Sequence, residues 1–271
     1  MPYKSYMPCP IVTLLSDFGL EDPYVAEMKA TILSISPDAK IVDISHEVEK
    51  FHVRTGAYIL ACAAPYFPKG TIHVAVVDPG VGTQRQPIII QTSNGYYIGP
   101  DNGVLALAAE NDIGPRSIHR ISNRSLMLSK VSSTFHGRDI FAPAAAHLAN
   151  GVNVEEFGLE IHKIEKPRFV GIIKRDNVLI GEALYIDSFG NIITNFALEK
   201  LGPLVIGAEI RAKIKRNKLK LKLCRAYAEE RKTRPLAIIG SHGFLEISMN
   251  QGNAAEFFKI KEGDRITIYH V

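Results

Sequence analysis

Residues 71–85 read TIHVAVVDPGVGTQR. The run from Thr71 to Val77 is mostly apolar and β-branched, interrupted only by Thr71 and His73 and too short for a helix, so it reads as a strand buried on both sides. It stops at Asp78, and two glycines, Gly80 and Gly82, follow within one turn. Outward from this strand, β-rich runs alternate with helical ones. Ile11–Leu15, Lys40–Ile44 and Pro87–Thr92 are expected strands. Tyr24–Ile35, Val53–Ala64, Asn102–Glu110 and Ile140–Ala149 carry helical periodicity, closed by Pro37, by Pro65 and, for the last, by Asn150-Gly151. Buried strands alternating with helices imply an α/β fold with a mostly parallel sheet covered on both faces.

Past about residue 168 the pattern changes to short strands: Phe169–Ile173, Leu179–Ile186, Ile192–Phe196, Ala208–Lys215, Lys218–Leu223, Ala237–Ile239 and Arg265–Tyr269. This implies a small antiparallel β-barrel and a division into residues 1–167 and 168–271. Segment 211–225, RAKIKRNKLKLKLCR, holds eight basic residues and no acid. A turn at Arg216-Asn217 pairs 214 with 219, 212 with 221 and 210 with 223. Ile210, Ala212, Ile214, Leu219, Leu221 and Leu223 then share one face, and the lysines take the wet face.

The 271 residues suit one large unit and a smaller one. No apolar run approaches the roughly 20 residues of a spanning helix, and the first ten residues lack a secretory pattern, so a cytoplasmic protein is expected. Cys9, Cys62 and Cys224 stand singly, with no CxxC, so neither a disulfide framework nor a zinc site is supported. The net charge of +4 comes from the lysine hairpin; without its eight residues the chain carries 24 basic against 28 acidic groups. The excess is local, and RNA binding by the hairpin is a weaker reading than a solvated face.

No P-loop, GxGxxG, HExxH or GxSxG is present, so chemistry is sought in loops at strand ends. Asp17, in SDFG at 16–19, can accept two hydroxyls of a ribose diol or can cap the following turn. Asp78 and Arg85 can meet across the glycine loop, either for catalysis or as a structural pair. His136, in FHGRD at 135–139, can act as base, ligand or orienting group, while Asp139 is expected to cap the helix that follows. Asp187, Phe189 and Asn191, in DSFGN at 187–191, suit a nucleoside or amino-acid pocket or a tight turn. Ser241 and Glu246 lie in SHGFLE, again either polar contacts or a turn.

Together with GPDNG at 99–103 and GFLEI at 243–247, these motifs resemble the S-adenosyl-L-methionine hydroxide adenosyltransferases, relatives of the fluorinase and chlorinase. The resemblance runs from Asp17 to Asn250. It implies a Rossmann-like domain plus a small β-barrel, and cleavage of S-adenosyl-L-methionine by water at ribose C5′ to adenosine and methionine. It implies Asp78, Arg85 and His136 as the catalytic set. Asp17 corresponds to the ribose-diol acid, Asp187 to the acid for the methionine ammonium, and Asn191 and Ser241 to polar contacts at the ligand's two ends. Phe51, Phe135 and Phe189 correspond to aromatic walls, with Thr134 and Glu246 as further substrate contacts. His242 follows Ser241 where the halogenases carry arginine. The resemblance also implies a homotrimer with sites between subunits. Neither a cofactor nor a metal is implied, since the substrate is itself the S-adenosyl-L-methionine.

The chemistry suits these residues. The leaving group departs as neutral thioether sulfur and needs no acid; water must be held in line behind C5′ and lose a proton. A halide-using synthase of the same superfamily is disfavoured by the presence of all three catalytic residues. A binding module without turnover has no need of them.

Overall fold

The computed structural model describes residues 9–167, 171–201 and 205–269. The chain divides into two compact units, residues 1–168 and 169–271.

In the first unit a six-stranded sheet is built from β1 (Ile11–Ser16), β2 (Lys40–Ser45), β3 (Thr71–Val76), β4 (Pro87–Gln91), β5 (Gly95–Pro100) and β6 (Ser117–Arg120), in the order β2-β1-β3-β5-β4-β6. Pairings β1–β2, β1–β3 and β3–β5 are parallel; β4 pairs antiparallel with β5 and β6. β3 is buried along its whole length, and its two polar side chains are partnered there: Thr71 Oγ1 donates to the Pro68 carbonyl at 2.6 Å and His73 Nδ1 lies 2.8 Å from Thr13 Oγ1. Helices α1 (Tyr24–Ile35) and α4 (Ala142–Ala149) cover one face, where Met28, Ile32 and Phe141 meet Leu14, Val74 and Val76. Helices α2 (Val53–Ala63) and α3 (Ala106–Asn111) cover the other, where Leu60 and Ala108 meet Leu15, Ala75 and Val77. Odd and even strand residues thus feed two separate cores.

The chain leaves β1 for β2 on one side and crosses back to β3 on the other. The carboxyl ends of β1 and β3 lie side by side, with Ser16 opposite Val76. Such a reversal of strand order opens a crevice, the usual ligand position in open α/β sheets.

Several elements differ from expectation. β5 and β6 were not anticipated, and α3 covers only Ala106–Asn111 of the expected Asn102–Glu110. The expected helix from Ile140 is entered through a π-helical turn, Gly137–Phe141. Asp139 lies inside that turn and does not cap α4. Instead its carboxylate accepts the Ser132 N–H at 2.8 Å and Arg138 Nε at 2.7 Å.

The second unit is a barrel of β8 (Val178–Ile186), β9 (Ile192–Ala197), β10 (Glu209–Ile214), β11 (Asn217–Cys224), β12 (Pro235–Ile239), β13 (Phe244–Met249) and β14 (Arg265–Tyr269). The order β14-β10-β11-β12-β13-β9-β8 closes through β14–β8 pairing, and β7 (Ile173–Arg175) adds to β8. Of the strand expected over 169–173, residues 169 and 170 lie outside the described residues. All pairings are antiparallel except β11–β12, whose ten-residue connection returns the chain to run the same way.

The lysine hairpin faces as expected: Ile210, Ala212, Ile214, Leu221 and Leu223 line the core with Leu219 packed against it. Its register is two residues tighter. The turn is Lys215-Arg216, with Lys215 at φ 53°, so 214 pairs with 217, 212 with 219 and 210 with 221. A shift of two preserves every side chain's face, which is why alternation could fix the face but not the register.

Among the described residues, no helix is long and apolar enough to cross a membrane, and Cys9, Cys62 and Cys224 are free thiols.

Candidate active site

At the carboxyl ends of β1, β2 and β3 lies a cavity of about 420 Å³. Four segments line it. The β1–α1 turn gives Asp17, Phe18, Asp22 and Tyr24; the β2–α2 turn gives Lys50 and Phe51; the glycine loop gives Asp78 and Val81; the segment before α4 gives Thr134, Phe135 and His136.

Asp78 and Arg85 meet across the glycine loop. Arg85 Nε donates to both carboxylate oxygens, at 3.0 and 2.9 Å, and Nη2 donates to Oδ2 as well. Both side chains are nearly buried, Arg85 at 8% and Asp78 at 5% exposed. Arg85 Nη2 also lies 2.8 Å from His136 Nδ1. A guanidinium can only donate, so Nδ1 is the acceptor and the imidazole is neutral with its proton on Nε2. Burial first and the Arg85 charge second hold the His136 pKa below its ordinary value, against the opposing pull of Asp78, Asp139 and the Ser132 backbone. Arg85 also lies 5.4 Å from the centre of the Phe141 ring.

The glycine loop must press against the His136 segment for this contact to form. Gly82 has φ +77°, and a Cβ there would stand 2.3 Å from the Ser133 carbonyl oxygen. On the other side Asp139 ties the segment to the helix entry through Ser132, and Arg138 joins Asp139 to Glu27 of α1 at 2.8 Å. Burial works against the Asp139 charge, but the Arg138 and Ser132 hydrogen bonds outweigh it and hold its carboxyl below the usual range.

Asp17 is 6% exposed, and its Oδ2 accepts the Phe51 N–H at 2.8 Å. Phe51 has φ 66° and is 68% exposed, so its ring projects outward while its amide turns in. Phe18, Tyr24 and Phe135 form a triangle of edge-on rings with centroids 5.1–5.8 Å apart. Sequence reasoning missed Asp22, Tyr24 and Lys50 as lining residues, and assigned Phe18 no role. Only side-chain packing distinguishes them from ordinary turn and helix-start residues.

The second unit holds a separate cavity of about 610 Å³ that includes Asp187, Phe189, Asn191 and Tyr227. Asp187 Oδ1 accepts the N–H groups of Phe189 and Asn191, both at 2.9 Å, and Oδ2 accepts Asn191 Nδ2 at 2.8 Å. The turn-forming and pocket-lining readings therefore coincide. The tight turn pushes Phe189 out to 77% exposure, and Asp187 keeps acceptor capacity beyond these three bonds. Ser241 is exposed in the β12–β13 turn, outside the cavity-lining set. Glu246 is buried and also outside it; it accepts Tyr227 Oη at 2.8 Å and Ser248 Oγ at 2.6 Å. Burial first, then the Glu246 carboxylate, push the Tyr227 phenol above its ordinary pKa. Tyr227 was missed because its place depends on Glu246, nineteen residues away.

Residues 12–158 match the SAM hydroxide adenosyltransferase N-terminal domain, and residues 181–267 match the C-terminal domain of that family. The chain belongs to the SAM hydroxide adenosyltransferase family. It is 41% identical to the (R)-S-adenosyl-L-methionine hydrolase of Methanocaldococcus jannaschii, over 96% of each chain. It is 38% identical to the protein of the same name from Thermus thermophilus, over 93% of this chain and 96% of that one. The fluorinase of Actinopolyspora mzabensis is a more distant relative, 26% identical over 96% of this chain and 97% of that one. The crystal structure of an uncharacterized conserved protein from Thermotoga maritima superposes with a TM-score of 0.91 at 38% identity, covering 96% of this chain and all of that one.

Proposed function

We propose that this member of the SAM hydroxide adenosyltransferase family hydrolyses S-adenosyl-L-methionine to adenosine and L-methionine. The observation that carries the reading is that Asp78 and His136, bridged by Arg85, line one cavity with the acceptor Asp17. The relatives' names point to the (R) epimer at sulfur as the preferred substrate.

In this reading Asp17 accepts the ribose hydroxyls through the capacity left by its Phe51 bond. His136, neutral at Nδ1, presents its Nε2–H to the attacking water and holds it behind C5′. The water oxygen bonds to C5′ as the C5′–S bond breaks, and the electron pair of that bond leaves on sulfur, which becomes a neutral thioether. The water proton passes to Asp78, whose oxygens keep lone pairs beyond those used by Arg85. Arg85 fixes the carboxylate and the imidazole with a single planar group. No step calls on a metal. Phe51, Thr134 and Phe135 border the reacting end. Asp187, Phe189 and Asn191 contact the substrate from the barrel, with Ser241 and Glu246 as outer residues of that half.

Each unit carries half of this set, and we extend the proposal to a homotrimer whose sites combine the first unit of one chain with the second unit of its neighbour. Free, separate thiols suit a reducing compartment, and we assign the protein to the cytoplasm.

The test is incubation with S-adenosyl-L-methionine in ¹⁸O-water, with products separated by chromatography. Adenosine labelled at the 5′-oxygen, with equal methionine, is expected. The fluorinase relatives make a halide-using synthase the second reading; a halogenated nucleoside formed only with halide establishes it and overturns the first.

A further inference from the structure

Next to the Asp17 turn, three side chains of the first unit form a line that runs from the buried Ser16 and His46 out to the exposed Asp43. Ser16 Oγ lies 2.7 Å from His46 Nδ1, and His46 Nε2 lies 3.1 Å from Asp43 Oδ1, close but off the N–H axis. Asp43 Oδ2 in turn accepts Lys29 Nζ at 2.6 Å. The order Ser, His, Asp matches that of a nucleophilic triad, but its setting excludes that role. Ser16 is 1% exposed and His46 4%, and Ser16 Oγ already accepts the Phe18 N–H at 3.3 Å. A hydroxyl sealed from substrate and committed to the backbone is not a nucleophile.

What the line does touch is the turn that carries Asp17. His46 grips this turn twice. Its carbonyl accepts the Gly19 N–H at 2.8 Å, and its imidazole holds Ser16 Oγ, which holds Phe18 N–H. The Ser16 carbonyl also accepts the Val48 N–H at 3.4 Å, so the β1 and β2 exits are laced together on both sides of Asp17. Asp43 can only accept, so the His46 proton sits on Nε2; Nδ1 then accepts the Ser16 hydroxyl proton, and Ser16 Oγ keeps a lone pair for Phe18. Burial works against the Asp43 charge, but Lys29 and His46 outweigh it and hold its carboxyl below the usual range. The Asp43 charge therefore faces the Nε2 edge of the imidazole without a hydrogen bond to it.

We infer that His46 is a positioning residue for nucleoside binding: acting through Ser16 and its own carbonyl, it sets the Ser16–Gly19 turn so that Asp17 meets both ribose hydroxyls. This rests on the reading of Asp17 as the diol acceptor. A carboxylate accepts two hydroxyls well only at one tilt, and rotation of the turn loses one of them. The Phe51 N–H fixes one oxygen of Asp17, whereas the His46 line fixes the backbone from which Asp17 hangs.

The experiment is calorimetric binding of adenosine and of 2′,3′-dideoxyadenosine to the full-length protein. The variants are Asp17→Asn, Ser16→Ala, His46→Gln and Ser16→Ala combined with Asp17→Asn. The wild type is expected to favour adenosine by at least about tenfold, and Asp17→Asn to abolish that preference. Ser16→Ala and His46→Gln are expected to weaken adenosine by about tenfold while leaving the dideoxy ligand within about twofold. Ser16→Ala is expected to add nothing once Asp17 is Asn. Equal losses on both ligands, or full additivity in the double variant, mean that the line merely holds the fold and overturn the inference. If His46→Gln does not fold, Ser16→Ala decides alone. A wild type without diol preference, or an Asp17→Asn variant that keeps it, overturns the reading of Asp17 and this inference with it. An intact preference in Ser16→Ala and His46→Gln, with Asp17→Asn impaired, overturns the inference alone.

Discussion

Arg85 Nη2 and His136 Nδ1 stand 2.8 Å apart, from positions 51 residues apart in the chain. Because the guanidinium can only donate, this one contact fixes the tautomer of His136 and denies Nδ1 a proton. Protonating His136 means breaking the contact and placing two positive groups side by side.

The pH dependence follows. Burial and the Arg85 charge lower the His136 pKa in the folded protein, so below the ordinary imidazole value of about 6.5 the unfolded chain binds more protons than the folded one. The stability contribution is complete above that value and is lost as the pH falls through the folded pKa. The acid limb of kcat/KM is expected below about pH 6.5. In His136→Asn the amide oxygen can take the Arg85 hydrogen bond without titrating, so the limb should flatten. A pH-rate profile with the same limb in that variant refutes the assignment.

Arg85→Lys keeps the charge but loses the fork that reaches Asp78 and His136 together. Turnover is expected to fall about 100-fold or more, with KM changed by less than about threefold. Steady-state kinetics showing near-normal kcat refute a geometric role for Arg85.

Asp78→Ala strips the acceptor from a guanidinium only 8% exposed. Removing one partner of a buried pair costs about 3–5 kcal/mol, so this variant should lose stability as well as turnover. Asp78→Asn keeps one acceptor oxygen and should unfold at a higher urea concentration than Asp78→Ala while still losing most of its kcat. Equal urea midpoints for the two variants count against the buried-pair account.

Gly82→Ala places a Cβ 2.3 Å from the Ser133 carbonyl at a φ of +77°. The cost should be about 1–3 kcal/mol, and the His136 segment must move to relieve the overlap. Both the denaturation midpoint and kcat should drop. An unchanged kcat in a destabilised protein shows that the loop can shift without carrying His136 along.

The shared-site proposal is tested by mixing two inactive variants, Asp78→Asn and Asp187→Ala, under subunit exchange. Sites built from two chains recover about a quarter of wild-type activity at random mixing, whereas sites built within one chain recover none. Exchange is verified by native mass spectrometry.

The sequence by itself determined the periodic elements and the faces they bury. The apolar run at 71–77 fixed a doubly buried strand, and the alternation at 210–223 fixed which side of the hairpin meets the core, because side-chain period follows from backbone geometry alone. It also located the strand-end loops carrying Asp17 and Asp78 and the helix-entry segment carrying His136, because turn residues interrupt apolar runs. It gave no element over Gly95–Pro100, which is a strand, β5, because β3 and β4 offer hydrogen bonds on its two sides. The hairpin register was likewise hidden, since a shift of two leaves every face unchanged. Only the tertiary structure decided that Arg85 reaches both Asp78 and His136, that Asp139 ties down a loop instead of capping a helix, and that Ser16, His46 and Asp43 line up under Asp17. Each of these joins groups from separate segments, and their distances are set by how helices and loops pack on the sheet, which local residue preferences do not encode.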